Sequence, residues 1–200
     1  MRAIILASGS PRRIELLKKC GLKFKIIPSG ACEETLKRMP SAIVRELALR
    51  KADFVAKNNP QAVVIGADTI VVLKGEIIGK PKHAKDAARI LANLNGSYHR
   101  VYSGVALVCA GKKTVEYAVS RVKMRRLSAG EIADFSHKHL DKAGAYAVQE
   151  KGDAFVEKIE GDYFNVVGLP MKLLKRMLKK YSVNLDIRRL SQSPADAPLS

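Results

Sequence analysis

Apolar positions along this chain switch repeatedly between strand and helix spacing, which predicts interleaved elements of both kinds. Residues 2 to 7 (RAIILA) read as a short buried strand. Ser10 and Pro11 then supply N-cap and first-turn residues for a helix that turns Ile14, Leu17 and Cys20 inward and stops at Gly21. A strand is expected around KFKIIP (23 to 28), and Ser41 opens a helix with Val44, Leu47, Ala48 and Val55 at helical spacing. AVVIGADTIVVL (62 to 73) is a near-continuous apolar strand, KGE its turn and IIGKP (77 to 81) its hairpin partner. A helix from about Ala84 carries Ala87, Ile90, Leu91 and Leu94 to Asn95-Gly96.

The second half continues the alternation. YHRVYSGVALVCAG (98 to 111) and KTVEYAVSRVKM (113 to 124) predict an antiparallel pair turning at Gly111, and Ser128 to Glu131 a capping box. GAYAVQ (144 to 149), AFVEKI (154 to 159) and YFNVVG (163 to 168) read as three short strands, and a helix from Pro170 to about Tyr181 sets apolar residues against lysines. The class expected is α/β, with a mixed, twisted sheet flanked by helices. No repeat or composition break divides the chain, so one domain over residues 1 to 189 is expected, followed by a disordered tail (190 to 200) ending in SQSPADAPLS.

Composition narrows the function. The 200 residues are 47% hydrophobic and 28% charged, with no apolar run near the ~20 residues needed to span a bilayer. A membrane role is not expected, and AIIL after Arg2 is too short for a secretory signal, so the cytoplasm is the expected location. Three widely spaced cysteines, Cys20, Cys32 and Cys109, suit reduced core residues rather than a disulfide framework. The four histidines form no zinc pattern, so any metal would have oxygen ligands. Thirty-six Lys and Arg against 19 Asp and Glu give +17, which favours anionic partners. Nucleic acid stays open but is not favoured, because aromatic residues are only 6% and do not interleave with the basic ones.

Three stretches carry candidate chemistry. ASGSPRR (7 to 13) joins a strand to a helix, where first-turn N–H groups and the helix dipole attract anions, and Arg12 and Arg13 stand where acidic residues would suit the dipole better. A capped helix with solvated arginines would leave the same pattern. In IGADTIV (65 to 71), Asp68 is costly to bury ionised unless it is paired, hydrogen-bonded or metal-bound; it could hold Mg²⁺ or take a proton from water, or cap a neighbouring backbone. Lys80, fixed between Gly79 and Pro81, could neutralise phosphate, and Glu33 and Glu34 are a candidate Mg²⁺ pair; solvated charge is the competing reading for each. Gln149 offers both donor and acceptor to a base edge, and Asn165 reads equally as a pocket residue or a turn hydrogen bonder.

ASGSPRR, GADT, GKP, SGVA, GAYAVQ and GDYFNVVGLP, in this order, resemble the Maf family of nucleoside triphosphate pyrophosphatases over residues 3 to 180. The resemblance implies a two-lobed fold similar to the inosine triphosphatase-like enzymes, with the site in a central cleft. It also implies Mg²⁺- or Mn²⁺-dependent attack of water on the α-phosphorus, releasing monophosphate and pyrophosphate as a house-cleaning activity. By position, Asp68 matches the general base, Ser8, Arg12, Arg13, Lys51 and Lys80 the phosphate-binding set, and Glu33, with Asp68, the metal-associated acids. Arg12, Thr69 and Gln149 fit the branch acting on dTTP, UTP and related modified pyrimidine nucleotides, rather than the 7-methyl-GTP branch. A homodimer is implied too. Because family members are linked to septum formation, a non-catalytic regulator of division that binds nucleotide or nucleic acid is the alternative.

Overall fold

The computed structural model describes residues 2–138, 144 and 155–190. Its chain order is β1 (Ile4–Leu6), α1 (Pro11–Lys19), β2 (Lys25–Ile26), α2 (Pro40–Ala56), β3 (Val63–Leu73), β4 (Glu76–Ile78), α3 (Ala84–Leu94), β5 (Tyr98–Cys109), β6 (Lys112–Met124), α4 (Ala129–Phe135), β7 (Val156–Glu160), α5 (Tyr163–Val167), α6 (Met171–Lys179) and a 3-10 turn (Arg188–Leu190). The strands form one seven-stranded sheet in the order β2-β1-β3-β5-β6-β7, with β4 added to β3. β1 is parallel to β2 and β3, while every other pair is antiparallel, so the expected mixed α/β sheet is present.

Strand alternation divides the core between two faces. Val63, Ile65 and Ala67 of β3 meet α1 and α6, while Val64 joins Ala48, Ala52 and Val55 of α2 on the opposite face. Further along, Leu73 and Met124 pack with α3, Leu127 and Phe155 in a separate cluster. The three long strands thus run from one apolar cluster into another, and the functional residues lie between them. Leu190, expected at the start of the tail, is buried in the first cluster; residues 191–200 lie outside the described region.

Two readings of the sequence are corrected. YFNVVG is α5, not a strand: the Asp162 side chain accepts from the Phe164 N–H (2.9 Å) at its N-cap, and Gly168 closes it at φ 115°, a left-handed cap. These two local signals outweigh the β-branched and aromatic content of five residues. Cys32 is exposed, so only Cys20 and Cys109 are core thiols. The predicted capping box at Ser128 and Glu131 is present.

Candidate active site

β1 ends beside Ile65, and β4 joins the same edge of β3 only at Val71, which leaves that edge without a strand partner between them among the described residues. The chain leaving β1 turns across this gap. The Ala7 N–H donates to the Ile65 carbonyl (2.8 Å), and the loop through Ser8 and Gly9 delivers α1 with its N-terminus at the opening. Ser10 holds the N-cap position with an extended backbone, but its side chain makes no capping bond; its N–H instead reaches Ser8 Oγ (3.3 Å). The first turn of α1, free of acidic residues, is thereby left to attract an external anion at the carboxyl end of β1.

Arg13 closes the gap with its guanidinium. Nη1 donates to the Ala67 carbonyl (2.8 Å) and to Ser8 Oγ (3.2 Å), Nε to the Gly168 carbonyl (2.9 Å) and Nη2 to Thr69 Oγ1 (3.2 Å). Burial lowers its pKa to about 10, partly offset by the Asp68 charge, and Arg12 on the same turn lowers it further. Most of its donors are committed to protein acceptors, which fixes the guanidinium against the sheet edge. Thr69 Oγ1 also lies 2.9 Å from Ser103 Oγ. The Ser103 hydroxyl donates to the buried Asn165 carbonyl (3.0 Å), and the single Thr69 proton faces two acceptors, Ser103 Oγ and the Gly168 carbonyl (3.3 Å). Asn165 continues the network through Nδ2 to the Val101 carbonyl (2.9 Å) and Ser120 Oγ (3.0 Å). This resolves its two readings: it is an internal hydrogen bonder.

Asp68, one residue earlier, points to the other face of β3 and is 8% exposed. Lys51 Nζ from α2 donates to Asp68 Oδ1 (2.7 Å) and lies 2.6 Å from Glu33 Oε1. Two missing side chains make this meeting possible. A Cβ on Gly66 would lie 2.2 Å from the Ala48 carbonyl, and one on Gly104, the partner of Asp68 across β5, 2.1 Å from the Val44 carbonyl. Any larger residue would lift α2 off the sheet and carry Lys51 away from Asp68. Glu33 is held less rigidly, on a loop fastened to α2 by Thr35 Oγ1 donating to Glu46 Oε2 (2.6 Å) and by Arg50 donating to the Glu34 carbonyl. Its hydrogen bond to Lys51 draws its pKa down, with further help from Lys80 and Arg13.

The structure thus brings Ser8, Arg13 and Thr69 together on one face of β3 and Glu33, Lys51 and Asp68 on the other, with Arg12, Asp68 and Glu33 close enough to act on Arg13, while Lys80 stands exposed after β4, close enough to act on Glu33. Glu34 contributes its backbone carbonyl to Arg50. Gln149 lies outside the described residues. Ser103, Asn165, Gly66, Gly104 and Gly168 join the site as supports. The sequence carried a signal for the glycines, since both Gly66 and Gly104 interrupt otherwise apolar strands, but none for the hydroxyl pairing of residues 69 and 103.

Comparison with known proteins identifies the family of the chain. Residues 3–181 match the family described as Maf-like protein. The chain is 49% identical over 180 residues to the dTTP/UTP pyrophosphatase of Elusimicrobium minutum, covering 89% of this chain and 98% of that one. It is 48% identical over 190 residues to the enzyme of the same name from Dictyoglomus thermophilum, and 47% over 189 residues to that of Bacillus cereus, each match covering 92% of this chain and 98% of the relative. The Ham1 protein of Staphylococcus aureus has the same fold at 15% identity, with a TM-score of 0.55 over 90% of this chain and all of that one. With a family match spanning nearly its whole described length and relatives at almost half identity, this chain belongs to the Maf family.

Proposed function

We propose that this protein hydrolyses nucleoside triphosphates, with dTTP and UTP as its substrates, to the monophosphate and pyrophosphate. The observation that carries the reading is the Asp68–Lys51–Glu33 group beside an uncapped helix N-terminus. The α1 N-terminus, Arg12 and Lys80 bind and orient the triphosphate chain. Asp68 gives one carboxylate oxygen to Lys51 and has no partner on the other among the described residues, so that oxygen can orient a water and take its proton. Arg13 and Thr69 keep the loop and β3 in place rather than touch the reacting atoms.

A divalent cation, Mg²⁺ or Mn²⁺, fits this group. Both carboxylates already converge on one cationic atom, Lys51 Nζ, and Mg²⁺ is commonly held by one or two carboxylates with substrate phosphates and water completing its shell. Asp68 and Glu33 would hold it, and when bound it supplies positive charge that makes the attacked phosphorus more electrophilic. Among the described residues no group of three or more His, Cys, Asp or Glu forms a ready-made metal cage, so substrate phosphate oxygens and water would complete the shell.

The test is a nucleotide panel with Mg²⁺ or Mn²⁺ in which monophosphate and pyrophosphate are both quantified. Equal yields of the two from dTTP and UTP are expected. Orthophosphate as the product would place cleavage at the terminal bond and overturn the chemistry, and binding of nucleotide or DNA without any turnover would favour the regulator. The pyrimidine preference follows the names of the relatives; preferential turnover of 7-methyl-GTP would overturn that part alone.

A further inference from the structure

Lys51 sits where a metal would be expected to sit. Its ammonium lies 2.6 Å from one carboxylate and 2.7 Å from the other, and its side chain is only 13% exposed, so it is a fixed charge rather than a solvated surface lysine. Glu33, by contrast, is 66% exposed along its side chain and comes from a loop, and its one close side-chain tie among the described residues is this contact, with Lys80 and Arg13 acting on it only at longer range. Two carboxylates brought together without a cation would repel one another, and one ammonium offsets only one of their two charges. The group therefore retains a net negative charge that a divalent ion can neutralise more fully, although ion and ammonium cannot share one position.

We infer that Lys51 is an internal stand-in for the metal: it keeps Asp68 and Glu33 converged before a cation arrives, then exchanges with it, and the released ammonium turns to the anionic substrate. The inference rests on the proposed metal-dependent hydrolysis and assigns Lys51 two successive partners, carboxylates first and phosphate second. It also explains why a site for triphosphate places its most buried lysine against two acids. A flexible four-carbon stem anchored on α2 permits that exchange, whereas an arginine fork, with its planar paired donors, would grip the carboxylates and resist it.

The decisive experiment titrates Mn²⁺ alone, without nucleotide, into wild type, Lys51→Met, Lys51→Arg, Asp68→Asn and Glu33→Gln, reading free Mn²⁺ by electron paramagnetic resonance. Lys51→Met is expected to bind Mn²⁺ about tenfold or more tightly than wild type, Lys51→Arg more weakly, and both carboxylate variants more weakly still. Unchanged or weaker binding by Lys51→Met overturns the exchange, as does binding insensitive to Asp68→Asn. Should the methionine variant fail to fold, the Lys51 Nζ resonance of the wild type decides: Mg²⁺ alone is expected to shift it, and a resonance indifferent to saturating Mg²⁺ overturns the proposal. Pyrophosphate release is scored separately. Wild type that lacks it yet displays the expected Mn²⁺ pattern would refute the proposed reaction and leave the exchange standing.

Discussion

Asp68 and Thr69 are adjacent in sequence and opposite in setting. The Asp68 face of β3 holds formal charges on separate elements: a lysine from α2 between a strand carboxylate and a loop carboxylate, with one oxygen left over. The Thr69 face is a chain of neutral hydroxyl, amide and carbonyl groups that starts at one guanidinium, Arg13, and runs through Thr69 and Ser103 to Asn165 and Ser120. Charged groups in a partly open site can change partners when a more highly charged ligand arrives. Buried neutral networks cannot, because breaking one strands desolvated donors and acceptors. On the proposed function, one residue of strand therefore separates the part of the site that reacts from the part that holds still.

The largest test of this contrast is Asp68→Asn, which should lower turnover of dTTP or UTP about a thousandfold, within the range for loss of a general base, with no matching fall in urea-unfolding stability. Next, Arg13→Met should do the reverse in kind. It removes the donors of the Ala67 and Gly168 carbonyls and of two hydroxyls, and is expected to cost about 3 kcal/mol in chemical denaturation; an unchanged midpoint would remove Arg13 from its place as a tie.

The two faces should also respond differently to pH. His99 lies on the Thr69 face of β5 at 2% exposure, and burial lowers its pKa from 6.5 to about 4. The unfolded chain then binds the extra proton between these values, so the contribution is complete above about pH 6.5 and lost as pH falls through 4. It amounts to at most about 3 kcal/mol. Stability measured from pH 7 to pH 4 should decline, and His99→Gln should flatten that decline. The smallest effect expected is that of Thr69→Val, about 1 kcal/mol from the lost hydroxyl between Ser103 and the Gly168 carbonyl, with Thr69→Ser retaining it. If Thr69→Val left stability untouched and altered only nucleotide choice, Thr69 would belong to the reacting side.

Much of this was legible beforehand because it is local. Pro11 opens α1, Ser128 and Glu131 form their capping box, and the apolar run around Asp68 is the central strand its composition predicts. Asp68 stood out because an acid in such a run needs a partner. The misreading of YFNVVG shows the limit of composition over five residues, where Asp162 and Gly168 at its ends fixed the backbone before side-chain preference could. Arg12 and Arg13 look alike in sequence. Only the packing of α1 against β3 and the turn after α5 turns Arg13 inward to two carbonyls.

By itself, then, the sequence determined the alternation of elements, the anion-attracting turn at ASGSPRR and the need to compensate Asp68, all of them consequences of neighbours a few residues apart. The tertiary structure alone decided what compensates it. Lys51 is seventeen positions from Asp68, and Glu33 lies on a loop preceding α2. They meet because Gly66 and Gly104 let that helix descend to backbone contact with the sheet. Local spacing carries no record of such a contact, since it depends on the distance between two packed elements rather than on the order of residues within either.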